Sequence, residues 1–270
     1  MLSLEHQLTT SRMKESSAMK PSPLARNVPA FLLALLLLLL WEGYVRLRQV
    51  SSLILPTPDA ILAALLANWD ILLGHTIQTT LETVIGILVA VALGLALALW
   101  LDLAPACRRA VYPLLIVSQT IPMIALAPLL LLWFGFGFLP KLLVVVLYCF
   151  FPIIVACLDG LESTPPELMR LLKSMHATRW QTLWLVRLPG AMPSFFSGLR
   201  IAATYSVTAA IFGEYVGAFQ GLGIYMQTSA NAHATVLVFA ALVVTAVLSL
   251  LLFGLASLLA HLALPWQAKT

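Results

Sequence analysis

Cysteine and histidine are the side chains that most often bind metals or carry redox chemistry, and this sequence holds few of either. Its cysteines, two of which share one hydrophobic run, are Cys107, Cys149 and Cys157. An odd and apolar set of this kind predicts free buried thiols rather than disulfides or a metal site. His75, His233 and His261 have no ligand-like spacing with one another or with the cysteines. We therefore expect no metal site and no catalytic residue.

Two acidic residues, Glu82 and Glu214, lie within long apolar stretches. Placing a charge in such surroundings is costly, so acids at these positions are often functional. Glu214 shares its stretch with Tyr205 and Thr208, which gives a group of polar side chains able to line a path through the apolar region. The alternative for each acid is a hydrogen bond to a neighbouring helix with a purely structural role.

Another apolar stretch is interrupted by three prolines, Pro113, Pro122 and Pro128. Each proline removes a backbone hydrogen bond and frees a carbonyl, so we predict a bent helix. Irregular backbone inside a membrane is tolerated where it faces protein or a watery cavity. Ser118, Gln119 and Thr120, which lie between these prolines, are thus a second candidate for lining a path. The alternative is a bend that serves packing alone.

The composition places these residues in a membrane protein. Of the 270 residues, 61% are hydrophobic and only 10% are charged, far from the make-up of a soluble domain. Spanning a bilayer as a helix takes about 20 apolar residues, and most apolar runs here have that length. We predict an all-α fold, a polytopic membrane helical bundle of about six transmembrane helices. The predicted spans are 29–45, 76–101, 111–133, 139–158, 197–217 and 235–262.

The distribution of basic residues predicts the orientation of these spans. With a cytoplasmic N-terminus, twelve of the fifteen Lys and Arg residues fall on the inner side. This asymmetry is the positive-inside pattern, and it accounts for the +4 net charge without a nucleic-acid partner. We therefore expect residues 1–28 to form a cytoplasmic tail, residues 29–265 to form the membrane domain, and both termini to be cytoplasmic.

Three features belong to the predicted outer side or to the first span. The first span has a short apolar core after a basic region, and we interpret it as an uncleaved anchor, with a cleaved signal peptide as the alternative. Pro58 and Asp59 begin a predicted short amphipathic helix on the outer surface. The Gly-Leu-Gly at 221–223 predicts a turn, and contact with another protein is the alternative.

The longest hydrophilic interval after the tail is 159–196, on the predicted inner side. Thr164–Glu167 has the pattern of a capping box with proline at the first helical position, and Thr178 with Gln181 forms a second box. We predict two helices, the second ending at Leu188-Pro189. Between them, Met175–Ala177 must turn sharply, and His176 is a candidate for a positive φ.

This interval resembles the EAA loop of ATP-binding cassette importer permeases, whose pattern is Glu-Ala-Ala, three residues, Gly, nine residues, Ile-x-Leu-Pro. Arg170-Leu171-Leu172 takes the Glu-Ala-Ala position, His176 the glycine position, and Val186-Arg187-Leu188-Pro189 the ending. The stretches "HATRWQTLWLVRLPGAMPSFFSGLRIA", "SQTIPMIALAPLLLLWFGFG" and "LPTPDAILAAL" are similar to permeases for nitrate, taurine, aliphatic sulfonates and thiamine-precursor pyrimidines.

The resemblance implies a type I importer permease fold in the cytoplasmic (inner) membrane, with 159–196 as a loop that couples to a separate ATPase. It implies a homodimer with two ATP-binding cassette subunits and an extracytoplasmic substrate-binding protein. The chain has no GxxxxGK[ST] phosphate loop, so ATP and Mg belong to the partner ATPase. The resemblance assigns coupling to Glu167, Arg170, Leu171, Leu172, Met175, His176, Ala177, Thr178, Trp180, Trp184, Leu188 and Pro189.

The solute is a separate question. "GEYVGAFQGLG" is more similar to permeases for thiamine-precursor pyrimidines or riboflavin than to those for sulfonates, while nitrate, taurine and alkanesulfonates are the alternatives. A secondary transporter or channel would predict inverted repeats or a central ionisable pair, and we find neither. A membrane enzyme would cluster its polar residues at one face, whereas here they are scattered.

Overall fold

The computed structural model describes residues 23–266, with side chains from residue 28 onward. Residues 1–22 of the predicted tail, and Lys269 of the charge count, lie outside the described residues. The helices are α1 (Pro23–Leu47), α2 (Pro58–Ala67), α3 (Trp69–Leu103), α4 (Pro105–Ser118), α5 (Met123–Phe134), α6 (Phe138–Glu162), α7 (Pro166–Ser174), α8 (Arg179–Thr182), α9 (Leu188–Tyr215), α10 (Leu222–Asn231) and α11 (Thr235–Ala263). A π-helical turn, Leu183–Arg187, joins α8 to α9.

Five helical segments are long and apolar enough to cross a membrane: α1, α3, α6, the continuous α8–α9 segment and α11. The pair formed by α4 and α5 is bent by 100° at its break. If this pair is counted as one span, the number of spans is six. The prediction of an all-α bundle with about six membrane helices is therefore confirmed. Long exposed runs of leucine, as along α1, give the bundle an apolar exterior suited to lipid.

The third predicted span, 111–133, is divided rather than merely bent. Between α4 and α5 the N–H groups of Gln119 and Thr120 bond to carbonyls three residues back, which tightens and ends α4. Ile121 precedes Pro122, and a residue in that position avoids the α conformation. Pro122 is extended, with ψ of 116°, and caps the start of α5. The chain therefore turns at 119–122, the stretch that the prolines marked in the sequence.

The centre of the bundle is α6, which packs against α3 on one side and α9 on another. Gly198 allows α9 to approach closely, because a Cβ built there would lie 2.5 Å from the carbonyl oxygen of Pro152. Gly160 plays the same part nearer the end of α6, where a Cβ would lie 2.9 Å from the oxygen of Ala191. Small residues at such crossings let membrane helices gain close van der Waals contact. The α6–α9 pair is thus held as one packed unit.

The predicted short helix at Pro58 is present as α2, with proline at its first position and Asp59 in its first turn. The Arg46 guanidinium contacts Asp59 Oδ2 at 2.7 Å and also pairs with Glu42. This contact ties the end of α1 to the start of α2. On the main bundle, α2 packs chiefly along α11.

Candidate functional site

The segment from Ser163 to Arg187 leaves the bundle after α6 and returns at α9, with a sharp turn between its two helices. At that turn His176 has φ of 55°, as the sequence predicted. The N–H of His176 bonds to the Lys173 oxygen at 3.1 Å, and the N–H of Ala177 bonds to the Leu172 oxygen at 3.0 Å. This pair of bonds is the Schellman pattern that closes a helix C-terminus, and histidine here takes the place usually held by glycine.

The two predicted capping boxes have different outcomes. At the second, the Gln181 N–H donates to Thr178 Oγ1 at 3.2 Å, and the Thr178 N–H donates to Gln181 Oε1 at 2.8 Å, so that box is confirmed. The first box was wrong. The residue before Pro166 must be extended, so the cap falls on Pro165 rather than Thr164, without a side-chain bond. Proline at the first helical position is as predicted.

The prediction that Leu188-Pro189 ends the second helix was also wrong. The helix widens into the π turn, in which the Leu188 N–H bonds to the Leu183 oxygen five residues back, and then continues as α9. Proline lacks the N–H that an α-helical bond would need, and a π turn lets the helix pass this position. One continuous helix of 37 residues, Arg179–Tyr215, therefore runs from the exposed segment into the bundle.

The base of the segment is fixed by Arg187, which lies in the π turn. Its Nη1 and Nη2 contact Asp102 Oδ2 and Oδ1, each at 2.7 Å, and its Nε and Nη2 donate to the Leu161 oxygen at 3.2 and 3.0 Å. The Asp102 side chain is 5% exposed. This junction joins the ends of α3 and α6 to the start of α9. Sequence reasoning missed it, although an isolated acid at the end of an apolar span was a usable signal.

The outer surface of the segment is apolar and aromatic. Met175 is 69% exposed, and Trp180 and Trp184 are 60% and 57% exposed. Leu171 and Leu185 add to the same exposed set. Exposed large apolar groups are typical of interaction sites, and tryptophan and methionine are enriched at the centres of interfaces.

A cleft of about 620 Å³ separates this segment from the ends of α3 and α4. Its basic lining residues are Arg170, Lys173, Arg179 and Arg187. Among the ion pairs of the described residues, only Arg187 in this set has an acidic partner. Arg170, which stands where the EAA pattern has an acid, thus belongs to a positively charged surface beside the apolar one.

A second cavity, of about 820 Å³, lies between the α4–α5 break and the packed α6–α9 pair. Gln119, Thr120 and Tyr205 line it, so the structure brings two of the predicted path groups together. Ser118 and Thr208 adjoin it on the same elements and are exposed, although they are not among its lining residues. The sequence did not point to its α6 wall, which Tyr148, Phe151, Pro152, Val155, Ala156 and Asp159 form.

Glu214 does not line this cavity. Its side chain is fully buried, accepting bonds from Thr79 Oγ1 at 2.6 Å and from the Gly223 N–H at 2.5 Å. The Leu222 N–H in turn donates to Thr79 Oγ1 at 2.8 Å. These bonds hold the start of α10 against α3. The geometry therefore fits the structural alternative for Glu214 that the sequence left open.

Glu82 is likewise fully buried, and its carboxylate pairs with Lys141 and accepts a bond from Gln78 Nε2 at 2.7 Å. A buried acid is tolerated when it is paired and hydrogen-bonded in this way. Sequence reasoning singled out the acid and missed Lys141 as its partner, because the two lie 59 residues apart.

The predicted turn at 221–223 has Gly221 at φ of 138°. The Gly221 N–H donates to His75 Nδ1 at 3.0 Å, which gives that histidine the packing role expected for it. Beside it lies the Tyr225 ring at 5.1 Å between ring centroids. Burial raises the pKa of the Tyr225 phenol above its usual value.

The helices describe a polytopic membrane protein, and comparisons with known proteins define its family. Residues 83–263 match the family described as "Binding-protein-dependent transport system inner membrane component". The chain belongs to this family of ATP-binding cassette (ABC) transporter permeases. The match extends from α3 to the end of α11 and includes both the segment and the cavity.

Curated relatives align with most of this chain and with most of their own length. A "Probable ABC transporter permease protein" of Haemophilus influenzae is 38% identical over 84% of this chain and 93% of its own. The "Formylaminopyrimidine transport permease protein ThiX" of Halalkalibacterium halodurans is 37% identical over 87% and 94%. A permease of Chloroflexus aurantiacus that is named for riboflavin is 34% identical over 87% of this chain and 88% of its own. A permease of Escherichia coli that is named for taurine is 31% identical over 92% of this chain and 93% of its own.

Among solved structures, a chain of the MetNI methionine ABC transporter in an inward facing conformation has a TM-score of 0.64. The match covers 72% of this chain and 97% of that chain at 22% identity. At this identity the likeness concerns the fold, and it confirms the type I permease fold expected from the EAA loop.

The Arg187 junction generates a first prediction. Replacing Asp102 by alanine leaves the guanidinium without its partner, at a cost of about 2 kcal/mol, between the values for exposed and buried pairs. Hydrogen–deuterium exchange of amides 179–187 should then become on the order of tenfold faster. The matched control is Glu162→Ala, which removes the more exposed Arg108–Glu162 pair of the same region. Equal exchange in the two variants would contradict the anchoring role.

The Glu214 bonds generate a second prediction. Thr79→Val removes a hydroxyl that bonds both Glu214 and the Leu222 N–H, and losing buried partners costs about 1–3 kcal/mol. We expect faster amide exchange in α10. Thr80→Val is the matched control, because the Thr80 hydroxyl bonds only to the Thr76 oxygen of its own helix. Equal exchange rates of the α10 amides in the two variants would contradict the role of the Glu214 bonds in holding this helix.

Proposed function

We propose that this chain is the transmembrane permease subunit of an ATP-driven importer, translocating a small polar solute delivered by an extracytoplasmic binding protein. The observation that carries the proposal is the exposed apolar segment, whose base Arg187 ties to two membrane helices. Such a segment is suited to receive a movement made outside the membrane and to pass it inward.

The proposed partner at this segment is a cytoplasmic ATP-binding cassette subunit, which would hold ATP and Mg. Met175, Trp180 and Trp184 would enter an apolar groove of that subunit, with Arg170 at the rim of the contact. We propose two permease copies and two ATPase subunits in the cytoplasmic (inner) membrane, with both permease termini on the cytoplasmic side. The charge distribution of the sequence and the family membership support this arrangement.

The continuous Arg179–Tyr215 helix provides a mechanical route for coupling. At 1.5 Å per residue it is about 55 Å long, which exceeds the thickness of a hydrocarbon core. Displacing its exposed end would move α9, and the close contact at Gly198 would carry α6 along with it. Since these two helices form one wall of the larger cavity, closure of the ATPases would change access to that cavity.

For the solute, we propose a thiamine-precursor pyrimidine or a riboflavin-like compound. The relatives named for formylaminopyrimidine and riboflavin, at 37% and 34% identity, support this choice over nitrate, taurine or an alkanesulfonate. The taurine-named relative at 31% identity keeps the anionic class as the second candidate.

A secondary transporter or channel, which works without an ATPase, is the alternative of another class, and membership of the ABC permease family argues against it. In such a protein no ATPase would bind the exposed segment, and no movement would be transmitted through the Arg187 junction. The buried Glu82–Lys141 pair would then be the natural candidate for ion coupling. Solute uptake by the purified chain alone, driven by an ion gradient, would favour this alternative.

The proposed docking predicts the effect of one substitution at the turn. Met175→Glu places a charge on the exposed apolar set, at a side chain that is 69% exposed. Burying an unpaired charge in an interface is strongly unfavourable. Co-purification with the ATP-binding cassette subunit should fall at least about tenfold. Phe219→Glu is the matched control, since Phe219 is also apolar and exposed but lies at the other end of α9 from the segment. Undiminished co-purification of the Met175 variant would contradict the docking role.

A further inference from the structure

The larger cavity has a lining that is selective in its chemistry. Building on the proposed importer function, we propose that this cavity binds a planar heteroaromatic solute in transit and excludes anions, so that the permease itself contributes to solute selection. The inference rests on the aromatic rings, the charge and the uncommitted polar groups of the lining.

Aromatic rings from two helices converge on the cavity. Tyr148 and Phe151 project from α6, and Tyr205 and Phe212 project from α9. The Tyr148 and Tyr205 rings lie 5.7 Å apart at an interplanar angle of 79°. Tyr205 remains 48% exposed, so much of its ring is free to contact a solute. Offset or edge-to-face contact with such rings favours a flat aromatic ligand over a small tetrahedral one.

The charge of the lining points the same way. Asp159 is the one charged residue among the residues that line the cavity, which include no lysine or arginine. A sulfonate or nitrate that leaves water keeps its full charge and is best stabilised by a cation, which no residue of this lining supplies. Asp159 would repel it, whereas an amino group could donate to that carboxylate. Arg170, Lys173, Arg179 and Arg187 line the other cleft. Arg200 is not among the lining residues of this cavity, and its Nη2 donates to Ser197 Oγ at 3.2 Å.

Several polar groups of the cavity have no partner within the described part of the chain. The side chains of Gln119, Tyr148, Tyr205 and Asp159 form none of the hydrogen bonds found among residues 28–266. The hydroxyl of Thr120, in contrast, donates to the Val117 oxygen of α4 at 2.8 Å, and that of Ser197 donates to the Pro193 oxygen of α9 at 3.1 Å. The amide, phenol and carboxylate groups are therefore available to the nitrogen and oxygen atoms of a heterocycle.

The lining also has an order along the helices. Tyr148 and Asp159 are separated by eleven positions of α6, about 16 Å along the helix. A small ring therefore cannot touch both at once. The solute would contact the aromatic rings around Tyr148 first. It would then pass Asp159, which lies close to the end of α6 and to the Arg187 junction. The rings would thus select the solute, and the acid would discourage anions along the remaining route.

The test uses the full-length permease in lipid nanodiscs, without ATPase or binding protein. Saturation-transfer-difference NMR would measure binding of 4-aminopyrimidine and riboflavin, with taurine and ethanesulfonate as the anionic comparison. We expect at least one of the two aromatic probes to bind at least about tenfold more tightly than either anion. Tyr205→Ala should weaken that binding by about tenfold, and Tyr205→Phe, which keeps the ring, should weaken it far less.

Phe219→Ala, which removes an exposed ring outside the cavity, serves as the matched control and should leave binding unchanged. Thermal unfolding of each variant checks that the fold is retained. Binding of neither aromatic probe, equal binding of the anions, or an unchanged affinity in Tyr205→Ala would overturn the inference. Because the assay contains no ATPase, these results are independent of the Met175 experiment, which tests the importer function itself.

Discussion

The bidentate contact between Arg187 and Asp102 is the interaction on which the proposed mechanism depends. It pairs a guanidinium with a carboxylate at the edge of the bundle. The same guanidinium also donates hydrogen bonds to the Leu161 carbonyl oxygen, in the last turn of α6. A charged group held by two partners at fixed geometry resists displacement far more than an exposed pair does. The junction therefore makes the exposed segment a rigid extension of three membrane helices.

The π turn at Leu183–Arg187 is part of this junction. The turn contains Arg187, which contacts Asp102, and the helix continues from it through Pro189 as α9. A helix that ended there, as the sequence pattern favoured, would have made a flexible link between the segment and α9. In the proposed mechanism, the continuous helix, packed on α6 through Gly198, would instead carry displacement to the wall of the larger cavity.

The features that the sequence predicted well are those determined by local rules. Apolar runs of membrane length gave the spans, the prolines gave the break near Gln119, and the Thr178–Gln181 box and the turn at His176 follow from capping chemistry. What it missed depends on contacts between distant parts of the chain. Asp102 meets Arg187 across 85 positions, and Lys141 meets Glu82 across 59, so a local pattern can mark one member of each pair but not its partner.

The central claim is that movement of the exposed segment reaches the cavity through this junction. The most direct measurement is the distance between spin labels placed at Ile201, on the cavity wall, in the two permease copies of the assembled importer with and without a non-hydrolysable ATP analogue. The account predicts that the nucleotide shifts this distance in the parent complex, and that Asp102→Ala abolishes the shift in complexes that still hold the ATPase. The same shift in both complexes, or no shift in either, would contradict the account.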